Sequence, residues 1–154
     1  MRSLRSWAFT VAAAFVLFAT GAFCGAGIVA KDLRLDARLI VGTDAAASPA
    51  AKQKPVDADL SKALRKAFRW KNYFEDNRQS ASIPLNGRKR ISFGHDTEIE
   101  VVNLGGDRVE VMLYLCGKAA TKSAHTLSEK EWLTLGGADK NNTAWFVVLR
   151  RNAD

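Results

Sequence analysis

Cysteine and histidine are scarce in this 154-residue chain, limited to Cys24, Cys116, His95 and His125. Two cysteines so far apart offer no dense disulfide framework, and no Cys/His spacing of the kind that holds zinc is present. A Walker loop, a dinucleotide fingerprint, a Gly-x-Ser-x-Gly elbow and a calcium loop are also missing. No cofactor and no metal are therefore expected, and no motif names a reaction. Acidic residues are absent from the first thirty positions, although 16 follow.

Apolar residues dominate that acid-free stretch. Trp7 to Ala30 is an uncharged run of 24 residues, preceded by Arg2 and Arg5 and followed by Lys31. A basic start, an apolar stretch and small residues towards its end (Gly21, Ala22, Gly25, Ala26) fit an export signal. Cleavage needs small residues one and three positions before the cut, which Ala19-Thr20-Gly21 supplies and Ile28-Val29-Ala30 supplies less well. Retention is the other fate, because 24 helical residues span roughly 36 Å, enough for a hydrocarbon core of about 30 Å. Phe23 before Cys24 argues against lipid attachment, which wants a small residue there. The GxxxG spacing of Gly21 and Gly25 follows equally from small residues near a cleavage region. The expected location is periplasmic or secreted, or anchored to the inner membrane by residues 7–30.

Residues 31–154 have the length of one domain with a real core. They hold 21 basic residues against 16 acidic ones, a net charge of +5. That balance permits anionic partners and is also ordinary for an exported domain. A cut after residue 24 leaves Cys116 as the one cysteine, so the fold relies on its core.

Leu33, Leu35, Ala37, Leu39 and Val41 alternate with Arg34, Asp36, Arg38, Ile40 and Gly42, which predicts a half-buried strand. Residues 42–56, rich in Ala, Lys, Ser and Pro, read as a mobile loop. Asp57 caps a predicted amphipathic helix through Leu60, Ala63, Leu64, Ala67 and Phe68, ending near Trp70. Strand-like segments follow at 71–83, 88–93, 97–104, 108–116, 119–126, 131–135 and 143–151. Asn86-Gly87 and Gly105-Gly106 suit tight hairpins, while 94–96 and 136–142 read as longer loops. The fold class is mainly β (α+β): an antiparallel β-sandwich or small barrel of about seven or eight strands with one amphipathic helix near the start of the domain. The sandwich is preferred. In 108–116, Val109, Val111, Leu113 and Leu115 face the core, and Met112 and Tyr114 on the other face are covered by the helix or the first strand. The last strand is apolar on both faces and is expected to be central.

Lys62, Arg65, Lys66 and Arg69 lie together on the helical wheel and can present a cationic face, or simply a solvated one that complements the helix dipole. Arg88, Lys89 and Arg90 form a second basic cluster, whose plain reading is a charged edge strand that resists aggregation. The two gain weight as a binding surface if they share one face. Phe68, Trp70, Tyr73 and Phe74 interleave with Arg69 and Lys71, a texture that can stack on bases or sugars and that more simply plugs a helix–sheet junction. Trp132 is the other aromatic whose exposure decides its role. The candidate binding residues are thus Lys62, Arg65, Lys66, Arg69, Arg88, Lys89, Arg90, Trp70 and Trp132. Cys116 becomes a nucleophile only with a base nearby, and His125 is the candidate across a hairpin near residues 118–120. The plain reading is a structural cysteine. Asn141-Asn142-Thr143 matches the N-glycosylation acceptor pattern, which matters only in a eukaryotic secretory host.

The segments from Phe68 to Glu75 and from Thr143 to Arg150, with Gly136-Gly137 before the latter, resemble parts of uncharacterised small exported bacterial proteins. The resemblance spans roughly residues 33–151 and implies a bacterial envelope setting, with no activity or site attached. Three function classes follow. The first is a non-enzymatic binding module for an anionic envelope component or a partner protein, with the membrane as a partner if the leader stays; nucleic acid is not expected. The second is a small envelope enzyme using Cys116 with His125, and the third a membrane-anchored structural accessory subunit. A basic surface favours the first, a concave pocket at Cys116 the second, and a broad apolar patch the third.

Overall fold

A computed structural model of the chain describes residues 31–94, 96–138 and 142–153. The predicted leader, His95 and Asn141 of the glycosylation pattern lie outside them. The alternating segments form β1 (Leu33–Thr43), β2 (Lys54–Pro55), β3 (Asn72–Ile83), β4 (Arg88–Gly94), β5 (Thr97–Gly105), β6 (Arg108–Leu115), β7 (Lys118–Thr126), β8 (Leu133–Ala138) and β9 (Thr143–Arg151), with helix α1 (Ala58–Ala67) after β2. Two antiparallel sheets result, one ordered β2-β3-β1-β9-β8 and the other β4-β5-β6-β7. This is a β-sandwich. Among the described residues no helix is long and apolar enough to cross a membrane.

Between the sheets lie Leu33, Leu35, Ala37 and Leu39 of β1 and Val147 and Leu149 of β9. Ile91, Phe93, Ile99, Val101, Val109, Val111 and Leu113 meet them from the smaller sheet. Removing such side chains from water, at roughly 25 cal/mol per Å² of apolar surface, is the main favourable term of the fold. A second apolar cluster lies on the outer face of the larger sheet, where Leu60 and Leu64 of α1 pack on Ile40, Trp70, Tyr73, Ala144, Phe146 and Val148. Asp57 caps the helix by accepting the Leu60 N–H at 3.0 Å, and the Tyr73 hydroxyl donates to the Leu64 carbonyl at 3.3 Å. The aromatic stretch after the helix is therefore a plug, with Trp70 buried.

Four expectations are corrected. First, β1 is covered on both faces from Asp36 onward, not half-buried, because β1 runs through the middle of its sheet under α1. Second, Asn86-Gly87 does not close a hairpin: it carries the chain from β3 in one sheet to β4 in the other. Asn86 does take the expected positive φ, at 58°. Third, Gly136 and Gly137 belong to β8 rather than to a loop. A Cβ on Gly136 would come within 2.5 Å of the Phe146 ring, so glycine is what lets strand and ring lie together. Finally, α1 and β1 lie with the other sheet and do not cover Met112 and Tyr114, which remain part-exposed. Arg90 stacks over the Tyr114 ring at 4.0 Å.

The ends of the sandwich differ. Leu33 pairs with Ile83 at one end and Thr43 with Asn72 at the other, so 11 residues of β1 separate the ends by about 33 Å.

Candidate functional site: a basic groove between the helix and the edge strand

The outer face of the larger sheet carries a network of charges beside the helix. Arg38, with a side chain 8% exposed, donates from Nε to Asp36 Oδ2 at 2.9 Å and from Nη1 to Asp57 Oδ2 at 2.7 Å. Glu75 lies 3.4 Å from the same Nη1. Arg78 closes the set with two bonds to Asp36, at 2.8 and 2.9 Å. Burial alone would lower the Arg38 pKa, but the hydrogen bonds to Asp57 and Asp36 outweigh it and the pKa is raised. Burial would likewise raise that of Asp57; the Leu60 N–H and Arg38 overcome it, and the carboxyl titrates below its ordinary value.

Trp132, part-exposed, is fastened to this network. The guanidinium carbons of Arg38 and Arg150 lie 5.0 and 4.9 Å from its ring centroid, within cation–π reach. Arg150 Nε also donates to the Glu129 carbonyl at 3.1 Å, holding the segment that leads to Trp132.

Between α1 and this segment runs a groove of about 710 Å³. Leu60, Leu64, Phe68 and Trp132 give it apolar walls, and Lys62, Lys66 and Lys130 line it with three ammonium groups against the carboxylates of Asp59 and Glu131. The structure thus brings Lys62 and Lys66 together with Trp132. Lys130 was not foreseen, because only the β7–β8 connection carries it to the helix. Arg65 and Arg69 border a separate depression of about 440 Å³ at the helix end, with Phe68, Trp70 and Lys71. There Arg69 stacks over Trp70 at 4.2 Å and donates to Asn142.

Arg88, Lys89 and Arg90 do not join this surface. They lie on β4 of the other sheet, where Arg88 faces Glu100 at 3.8 Å and Arg90 faces Glu98 at 3.6 Å. One basic cluster lies along α1, against the larger sheet, and the other on β4 of the smaller sheet.

Cys116 and His125 are not brought together either. Cys116 and Gly117 form the two-residue turn joining β6 to β7, two positions before the expected hairpin centre, with φ of 50° and 73°. His125 pairs with Val109 near the far end of β7, about 25 Å away by strand rise, and its Nε2 is 2.6 Å from the Ser123 hydroxyl. Cys116 does line an open cleft of about 500 Å³ between the sheet ends, with Leu39, Val41, Leu115, Trp145 and Asp96. Among the described residues no three metal-ligating side chains converge.

No family model, curated protein or solved structure matches this chain. The functional reading therefore rests on the molecule's own geometry.

Proposed function

We propose that this protein is an exported, non-enzymatic β-sandwich module that holds an anionic envelope component in the groove between α1 and β8. The observation that carries this reading is the convergence of Lys62, Lys66 and Lys130 with Trp132 on one concave surface. An extended acidic chain can place carboxylates or phosphates on the ammonium groups while its rings or apolar parts lie against Trp132 and Phe68. Arg38 and Arg150, both within cation–π distance of Trp132, give the aromatic wall a fixed position before any ligand arrives, which lowers the ordering cost of binding. The apolar run at 7–30, behind Arg2 and Arg5, supports an address beyond the cytoplasm.

Retention on an immobilised acidic polysaccharide, measured as salt is raised, tests the groove. The wild-type chain is expected to bind at low salt and elute as salt screens the contact. Lys62→Gln/Lys66→Gln/Lys130→Gln is expected to lose retention, while Arg88→Gln/Lys89→Gln/Arg90→Gln keeps it. Equal losses in the two triple variants would reduce the groove to general basicity, and no retention of the wild type at low salt would reject it.

A further inference from the structure

The end of the sandwich opposite Cys116 carries the large exposed apolar side chains among the described residues, Leu85 at 42% and Leu104 at 40%. Leu85 lies in the β3–β4 turn and Leu104 near the end of β5, close together: the Leu85 Cδ1 lies 2.9 Å from where a Cβ on the adjacent Gly105 would be. The turn bearing Leu85 is braced. The Asn86 N–H donates to the Asn103 carbonyl at 2.8 Å, and the Asn103 N–H donates to the Gly87 carbonyl at 3.0 Å. The Asn103 side chain, buried in a residue 2% exposed, donates to the Ile83 carbonyl at 3.0 Å. The fold therefore spends hydrogen bonds on presenting a leucine to the outside.

The described chain begins at this same end, with Lys31 two residues before β1. Leu33 opens β1 opposite Ile83, and three residues of extended chain reach at most about 10 Å. Arg88, Lys89 and Arg108 are exposed at this end, Arg88 opposite Val102 and 3.8 Å from Glu100, and Arg108 opposite Gly105. The acids nearby are engaged: Asp107 pairs with Arg151, and Asp32 accepts from the Ser82 hydroxyl at 3.0 Å.

We infer that this end is a bilayer-docking surface, in which Leu85 and Leu104 enter the interface of an anionic membrane and Arg88, Lys89 and Arg108 meet its lipid headgroups. The inference rests on the reading of residues 7–30 as a membrane-seeking segment. It adds an orientation: the domain stands on its leucine end, with the Cys116 cleft about 33 Å from the surface by strand rise. Apolar side chains ringed by cations are the composition that binds anionic interfaces, through buried area and electrostatic attraction together.

The test uses the full chain incorporated into vesicles of phosphatidylglycerol and phosphatidylethanolamine. An environment-sensitive fluorophore is placed on Leu85→Cys, with Cys24→Ser and Cys116→Ser, or on native Cys116 with Cys24→Ser alone. The expected result is a blue-shifted probe at residue 85, quenched by nitroxide-bearing lipid, and a probe at Cys116 quenched by aqueous iodide. Arg88→Gln/Lys89→Gln/Arg108→Gln is expected to reduce the shift at residue 85, as are zwitterionic vesicles. Vesicle-bound chain with both probes in water would overturn the docking surface alone, and so would both probes in lipid. Failure of the chain to enter vesicles would overturn the docking surface together with the leader reading.

Discussion

Arg38 reaches from the middle of β1 to the carboxylate of Asp57, with Nη1 and Oδ2 2.7 Å apart, while the other oxygen of that carboxylate caps α1. One side chain thus joins sheet and helix. Without it, the helix would be held by its apolar face, the Tyr73 hydroxyl and the chain on either side.

The link is acid-sensitive in a calculable direction. Asp57 titrates below its ordinary value of 3.8 in the folded protein, so its contribution is complete above that value and disappears as pH falls through the lower folded-state pKa. The urea midpoint is expected to hold between about pH 7 and about pH 5 and to drop below about pH 4. Asp57→Asn still caps the helix but does not titrate, and its midpoint should fall less steeply over the same range. Identical slopes would show that other carboxylates carry the acid sensitivity.

Arg38→Met removes the cation from a buried network while keeping much of the volume. Asp36, with a side chain 4% exposed, would keep only its bonds to Arg78 among the ion pairs described. Stranding part of a buried carboxylate in this way is expected to cost about 3 kcal/mol, read as a lower urea midpoint. Arg78→Met acts on a half-exposed partner and should cost distinctly less.

Gly136→Ala is expected to destabilise by about 1–3 kcal/mol, the usual cost of overpacking. The added methyl meets the Phe146 ring at 2.5 Å and the Trp145 carbonyl at 2.7 Å. Backbone on one side and a buried ring on the other leave it no room. A thermal melt of the variant measures this, and an unchanged midpoint would mean that β8 shifts freely.

Cys116 holds a left-handed conformation that cysteine adopts at a cost. Cys116→Asn places at this Xaa-Gly turn the residue such turns prefer, and is expected to stabilise the fold by up to about 1 kcal/mol. Native Cys116 is exposed and should be fully alkylated by iodoacetamide without unfolding. A rate well above that of a free thiol would revive the nucleophile reading.

The strands were largely legible because their signal is local: alternation in β1, β5 and β6 marks the side chains that line the core. The amphipathic helix and its Asp57 cap were legible for the same reason. What escaped depends on distant pairing. Asn86-Gly87 has hairpin chemistry, but β4 takes β5 as its strand partner and leaves β3 in the other sheet. Gly136 and Gly137 look like loop until Phe146 and Trp145 lie against them. The basic residues were singled out without knowing which would share a surface: Lys62 and Lys66 met Trp132, whereas Arg88 to Arg90 went to the other sheet. Arg38 and Asp36, the buried charges behind the groove, looked like the solvent face of a strand because their cover comes from residues 57, 75, 78 and 132.

The place of β1 bears on when the chain can fold. The first strand takes its two partners from residues 72–83 and 143–151, so the larger sheet cannot close until nearly all of the sequence is available. Pairings so distant in sequence are slow to form, since loop closure precedes the contacts that reward it. A growing chain that has just produced β1 has neither partner to pair with, an unfolded state that the proposed export would require. Moving β9 ahead of β1 by circular permutation would pair the two early. Faster folding is the expected result in a stopped-flow refolding experiment, and an unchanged rate would show that the β1–β9 pairing does not limit folding.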